Sequence, residues 1–300
     1  MRTVFLGTSD FAAALLSDLA GGAHRPELVL TRPDRPSGRG RKLSSPPVAE
    51  TARELGLELA QPDNVNESAT RERIVAVQPQ AVIVCAFGAL IKEPLLSEHE
   101  LLNVHPSLLP RWRGAAPVER AIMAGDERTG VSIMRVTAGL DSGPVCLVGE
   151  EPIQAQDTYG SLSVRLQRLG TGLLVDALDR LAGAESLLFA EQDDANATYA
   201  EKIAAADRLL DPSRPALELE RTVRALHPHI GARLALADGA FLGVRWALCA
   251  GPDTPPGEGL YSAVGRLLLN CSPGTLELLE VQPPGGRPMD AASYLRGHAS

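Results

Sequence analysis

Gln80-Ala81-Val82-Ile83-Val84-Cys85-Ala86 runs apolar without a break after its first residue and is rich in β-branched side chains. A strand with one wet face alternates polar and apolar residues, so an unbroken run is what a parallel strand buried on both faces needs. Upstream, residues 3–6 and 27–31 read as further strands, and residues 10–19, 47–57 and 67–77 as helices, the first capped by Ser9 or Asp10. Downstream lie a strand at 101–104 and a helix at 117–124. Strands at 131–136 and 145–150 suit an antiparallel pair, and 159–181 is a long helix with leucines near 3.6-residue spacing. This alternation predicts an α/β fold with a doubly wound, mostly parallel, Rossmann-like sheet.

Past residue 186 the pattern breaks. Residues 187–206 read as a linker around the polar run Glu191-Gln192-Asp193-Asp194-Ala195. After one helix at 217–226, short strands follow at 232–236, 241–249, 259–262, 266–269 and 275–281, separated by Gly/Pro turns. Five short strands with turns between them predict a small OB-like β-barrel. The expected organisation is a first domain over 1–186, a linker over 187–206 and a second domain over 207–300.

Composition sets the outer bounds. Three hundred residues with 44% apolar content can bury two cores. The formal net charge of −8 makes the chain a poor general polyanion binder, so any nucleic-acid contact must rest on local patches. One patch is the segment 32–42, with five positive charges and only Asp34 against them; its two prolines and two glycines predict an irregular loop. From residue 207 onward, nine arginines and no lysine face ten carboxylates, a near-neutral balance that suits planar phosphate contacts or simply a solvated surface. Cys85, Cys146, Cys249 and Cys271 form no CxxC and have no histidine at metal-ligand spacing; reduced thiols and no metal are expected. No apolar run approaches the ~20 residues of a membrane helix. The chain opens directly into a strand with no charged leader, so a cytoplasmic location and no membrane partner are expected.

The chemistry concentrates in Asn103-Val104-His105. Residues i and i+2 of a strand point to one face. An amide donor and an imidazole therefore converge where an apolar strand ends, beyond which ligands bind in doubly wound sheets. The amide can bind a developing oxyanion while the imidazole handles a proton. Asp141, in Gly139-Leu140-Asp141-Ser142-Gly143, lies in a Gly-flanked loop that can bring a carboxylate beside the imidazole, fixing its tautomer and raising its basicity. Gly7-Thr8-Ser9 after the first strand is not a dinucleotide fingerprint, which disfavours a nicotinamide enzyme. Of the other histidines, His24 and His99 read as surface residues, His298 as part of a frayed tail, and His227 and His229 as structural.

Asn103-x-His105 with Ser107-Leu108-Leu109-Pro110 and Asp141 resembles the folate-dependent formyltransferase family. Several stretches resemble the branch that acts on methionyl-tRNA: Arg111-Trp112-Arg113-Gly114-Ala115-Ala116-Pro117, the opening Phe5-Leu6-Gly7-Thr8-Ser9-Asp10, the segment 33–42, Ala197-Thr198-Tyr199-Ala200 with Lys202-Ile203, and Gln282-Pro283-Pro284-Gly285 with Leu295-Arg296-Gly297. The resemblance implies that Asn103, His105 and Asp141 are the catalytic set for formyl transfer from 10-formyltetrahydrofolate to the α-amine of methionyl initiator tRNA, without a metal, through a tetrahedral intermediate. Asn103, and His105 when protonated, would stabilise the oxyanion; His105, or a water held by Asp141, would take the amine proton. It further implies folate binding by Phe87, Gly88, Leu90, Ile91, Ser107, Leu108, Leu109, Pro110 and Gly139, and tRNA contact by Arg35, Arg39, Arg41 and Lys42. A monomer is expected. The sequence departs from the family pattern at Ala138, where an acidic residue is common, at Cys85-Ala86-Phe87-Gly88, which lacks a tyrosine hydroxyl, and at His227-Pro228-His229 in place of a Pro-Trp-Pro type segment. Three other readings stay open: transfer to a small amine, hydrolysis of the formyl donor, and a non-catalytic RNA-binding protein.

Overall fold

The computed structural model describes residues 1–37 and 42–297. The chain runs β1 (Thr3–Gly7), α1 (Asp10–Ala20), β2 (Leu28–Leu30), β3 (Arg35–Ser37), β4 (Lys42–Ser44), α2 (Pro47–Glu54), β5 (Leu59–Ala60), α3 (Ser68–Val77), β6 (Ala81–Cys85), α4 (Leu95–Glu98), β7 (Leu101–His105), β8 (Arg113–Gly114), α5 (Pro117–Ala124), β9 (Arg128–Arg135), β10 (Val145–Pro152), α6 (Tyr159–Ala182) and β11 (Tyr199–Ala200). Then come α7 (Ala216–Leu226), β12 (Ala232–Ala235), β13 (Phe241–Cys249), β14 (Leu260–Ala263), β15 (Arg266–Asn270), β16 (Thr275–Gln282), β17 (Met289–Asp290) and α8 (Ala291–Gly297). Two compact units result. One comprises Met1–Pro117, Arg128–Pro152 and Ser163–Ala200; the other takes Val118–Glu127, Ile153–Leu162 and the chain from Glu201.

The first unit holds a seven-stranded sheet in the order β10-β9-β7-β6-β1-β2-β5. β1, β2, β5, β6 and β7 are parallel; β9 runs antiparallel to β7, and β10 antiparallel to β9. Every residue of β1, β6 and β7 is buried, as a strand covered on both faces requires. The chain leaves β1 toward β2 and β5, then returns to β6 and β7 on the other side. The strand order therefore reverses between β1 and β6, the place where such sheets bind ligands. α1 buries Phe11, Leu15, Leu16 and Leu19 at helical spacing, and Ser9 caps it by accepting from the Ala12 amide at 3.3 Å. α2 ends at Glu54 rather than 57 because Gly56 takes a φ of +62°, a left-handed position that stops a helix.

The antiparallel pair leaves no space at Gly130. A Cβ there would lie 2.0 Å from the Gly149 carbonyl oxygen and 2.5 Å from Leu108 Cδ2. The first contact is backbone inside a paired ladder and cannot yield cheaply. Gly130→Ala is expected to cost about 1–3 kcal/mol of stability or more, read as a lower urea midpoint; an unchanged midpoint would contradict the packing described.

The second unit carries the antiparallel order β12-β13-β16-β15-β14, with β17 beside β16. α7 covers this sheet with Leu219, Val223 and Leu226, packed into one core with Leu234, Leu242, Val244, Leu276 and Leu278. The five anticipated strands form close to their expected places. β17 and α8 were not anticipated: β17 has two residues, and α8 is a single short segment that begins where Asp290 Oδ1 accepts from the Ser293 amide at 2.8 Å.

Two other expectations need correction. The segment 32–42 is not irregular throughout, since β3 and β4 pair as an antiparallel hairpin. His24 is buried, 4% exposed, with Nε2 2.7 Å from Asp179 Oδ1. Its tertiary partner, 155 residues away, was invisible in sequence. His99 is half-buried, and burial lowers the pKa of its imidazole. No helix among the described residues is long and apolar enough to cross a membrane.

Candidate active site

The carboxyl end of β7 brings Asn103 and His105 to one wall of a cavity of about 560 Å³, a size that suits a small organic ligand. The loop after β9 adds Asp141 to the same cavity. Asn103 Nδ2 donates to Asp141 Oδ1 over a long 3.4 Å, and His105 Nδ1 stands 3.7 Å from Asp141 Oδ2. At that separation the carboxylate acts on the imidazole electrostatically rather than through a direct hydrogen bond.

The tautomer of His105 follows from its other nitrogen. Nε2 lies 2.9 Å from the Trp112 carbonyl oxygen, an acceptor only, so Nε2 carries the hydrogen and the neutral ring presents its lone pair at Nδ1. The Trp112 backbone has a φ of +62°, unusual for a bulky residue, and its amide donates to Thr198 Oγ1 at 2.9 Å. Asp141 is also left-handed, at a φ of +44°. Its Oδ2 accepts the Gly114 amide at 2.9 Å, and its carbonyl accepts Gln192 Nε2 at 2.9 Å. Gly114 itself must be glycine: its φ is +120°, and a Cβ would lie 2.8 Å from the Ala200 carbonyl oxygen.

Phe87, Gly88, Leu90 and Ile91 form a second wall, and Gly139 and Leu140 a third. Leu90 and Leu140 are 63% and 62% exposed, large apolar groups at the rim that a flat ligand would cover. The Phe87–Ile91 loop is held from behind. Thr8 Oγ1 donates to the Phe87 carbonyl at 2.7 Å, Arg32 to Gly88 at 3.0 Å, and Asn66 Nδ2 to Leu90 at 2.9 Å. Cys85, just before this loop, is buried, and desolvation pushes its thiol up to about 12; it is neutral and unreactive at working pH.

Ser107, Leu108, Leu109 and Pro110 do not line the cavity; Pro106 does. Ser107 is fully buried and its hydroxyl donates to the Arg111 carbonyl at 2.6 Å, while Leu108 lies against Gly130. This segment shapes the turn that returns Trp112 to His105. Of the basic positions, Arg35 is exposed on β3 and Lys42 opens β4, while Arg39 and Arg41 lie outside the described residues. Asp34, at the foot of the hairpin, is held below the usual carboxylate range chiefly by its hydrogen bond from Gln61, with Ser45 and Arg53 adding to it. Among the described residues no cluster of three or more His, Cys, Asp or Glu side chains is arranged to hold a metal. Sequence reasoning missed the Gly114 amide and the Trp112 carbonyl, because main-chain groups carry no residue signal, and Gln192, because it stands in a polar connector.

An amide, an imidazole and a carboxylate thus meet at the carboxyl end of β7, on the ligand-binding edge of an α/β sheet. The chain belongs to the formyl transferase family: the domain described as Formyl transferase matches residues 1–178, and the Formyl transferase C-terminal domain matches residues 202–299. It is 42% identical over 308 residues to a protein of Methylococcus capsulatus named methionyl-tRNA formyltransferase, covering 100% of this chain and 97% of that one. A Halorhodospira halophila protein of the same name is 43% identical over 300 residues, covering 99% and 96%. Among solved structures, HypX from Aquifex aeolicus in complex with tetrahydrofolic acid superposes with a TM-score of 0.68 at 17% identity, covering 98% of this chain and 47% of that one. A Helicobacter canadensis N-formyltransferase in complex with folinic acid and dTDP-3-aminofucose gives 0.67 at 13% identity, covering 93% and 98%. At these identities the two structures speak for the fold alone.

Proposed function

We propose that this protein transfers a formyl group from 10-formyltetrahydrofolate to the α-amine of methionyl initiator tRNA, as a cytoplasmic monomer active in translation initiation. The observation that carries the reading is the convergence of Asn103, His105 and Asp141 on one cavity, in a chain whose full-length relatives bear that name. The cavity fits a folate: its walls are apolar and its volume is of the right order. Phe87, Gly88, Leu90, Ile91 and Gly139 would hold it, and the folate supplies the activated formyl carbon.

The residues divide the work. Asn103 offers a neutral N–H to the oxygen that becomes negative as the amine attacks. His105, its Nε2–H committed to Trp112, takes the amine proton at Nδ1 and delivers it to the folate N10 as the formyl C–N10 bond breaks, so that tetrahydrofolate leaves and the ring returns to its neutral form. Asp141 stabilises the imidazolium so formed without itself accepting the proton. Arg35, Arg39, Arg41 and Lys42 give the segment 32–42 a local positive charge that matches the phosphates of an acceptor stem.

The direct test is formyl transfer from 10-formyltetrahydrofolate to methionyl initiator tRNA. Arg39→Ala is expected to weaken tRNA binding and lower its salt slope by about 1, with the folate KM unchanged. Donor consumption with water or small amines but not with tRNA would overturn the assignment of the acceptor and leave the site chemistry standing.

A further inference from the structure

The polar stretch between the two family domains is wired into the site. Gln192 Nε2 donates to the Asp141 carbonyl at 2.9 Å and to the Gly143 carbonyl at 2.7 Å. Its Oε1 accepts from Arg113 Nε at 3.0 Å and Nη2 at 2.9 Å. Only this orientation of the amide works, since the reverse would set N–H against a guanidinium and an oxygen against two carbonyls. The Arg113 side chain is 4% exposed, and Asp194 Oδ1 neutralises it at 2.7 Å. A cation on the oxygen side polarises the amide and strengthens its N–H bonds to the loop. These bonds span both ends of the turn that places Asp141, a residue in a backbone conformation that is unfavourable without support.

We infer that Gln192, backed by Arg113, is a positioning residue for catalysis: it holds the 141–143 turn so that the Asp141 carboxylate faces Asn103 and His105. It touches no reacting atom. The inference rests on the function proposed above only for its kinetic readout. The family domains match residues up to 178 and from 202, so Gln192 lies within neither.

Two variants test it. Gln192→Ala removes both donors and is expected to lower kcat about 10–100-fold, with the KM for folate and tRNA within about twofold. Gln192→Glu keeps the shape and the Arg113 partner but sets a carboxylate oxygen against two carbonyls. Its kcat should fall at least as far while its thermal midpoint stays close to wild type. That loss should shrink as pH is lowered, because the protonated acid regains one donor, whereas the ratio for Gln192→Ala stays flat with pH. A Gln192→Glu enzyme with wild-type kcat at pH 7.5, on the order of twofold or less, overturns the inference. A crystal structure of Gln192→Ala decides independently of activity: a displaced Asp141 supports the role, and an unmoved one overturns it. Wild-type protein inactive on tRNA would sink the proposed function alone, since the crystallographic outcome would still stand.

Discussion

His105→Ala is expected to lower kcat for formyl transfer by about 10²–10⁴, with the folate KM little changed. His105 is 4% exposed, and its ring has one nitrogen spent on the Trp112 carbonyl. Its loss removes the group that accepts the amine proton and leaves Asp141 with no cation to stabilise. His105→Asn separates the two contributions. An amide there can still donate but has no basic nitrogen, so activity should stay low and rise with pH only as solvent hydroxide takes over. Steady-state kinetics across pH 6–9 check this, on the order of three decades in base concentration. A kcat within about threefold of wild type would remove His105 from the mechanism.

Asn103→Ala should lower kcat by about 10²–10³. The geometry says why the loss falls on turnover. Asn103 Nδ2 reaches Asp141 Oδ1 only at 3.4 Å, a weak bond that leaves the donor ready for a stronger acceptor. An oxyanion that appears during reaction is such an acceptor, and the ground-state carbonyl is a lesser one. The truncated variant should therefore bind substrates nearly as well and turn them over slowly. Asn103→Asp should be worse than alanine, because a carboxylate beside Asp141 repels both its neighbour and the developing negative charge. A fall in binding with kcat unchanged would assign Asn103 to ground-state recognition instead.

These predictions depend on contacts of different legibility. Asn103 and His105 could be paired from spacing alone, since a strand fixes side-chain direction every second residue. Asp141 required a further inference, that a Gly-flanked loop permits a close approach; the structure places it beside the pair and in a left-handed backbone. Ser107 to Pro110 read as a ligand wall because they form an apolar loop next to a candidate histidine. In the fold the Ser107 hydroxyl donates to the Arg111 carbonyl and its own carbonyl accepts from Ser132, while Leu108, Leu109 and Pro110 stay half-buried outside the cavity lining. The polar run 191–195 reads in the opposite way. Charged and amide residues without periodicity read as a solvated connector, yet Gln192 serves a buried arginine on one side and two carbonyls on the other.

The same stretch explains how the site is held. Ala190 exchanges both backbone hydrogen bonds with Val145, each 2.9 Å, and Thr198 and Ala200 receive the amides of Arg113, Ala115 and Ala116. The 190–200 segment thus braces the turn that carries Trp112 and Gly114, which in turn orient His105 and Asp141.

By itself the sequence determined what is local or periodic: buried strands from unbroken apolar runs, helices from 3.6-residue spacing, the antiparallel second sheet from its turns, and the amide–imidazole pair from its place at a strand end. Tertiary structure alone decided the partner of each polar group. A carbonyl, an amide or a glutamine side chain has the same appearance in sequence whether it faces water or a catalytic residue. Only the folded chain, by excluding water and forcing every buried donor to find an acceptor, makes Trp112, Gly114 and Gln192 part of the site.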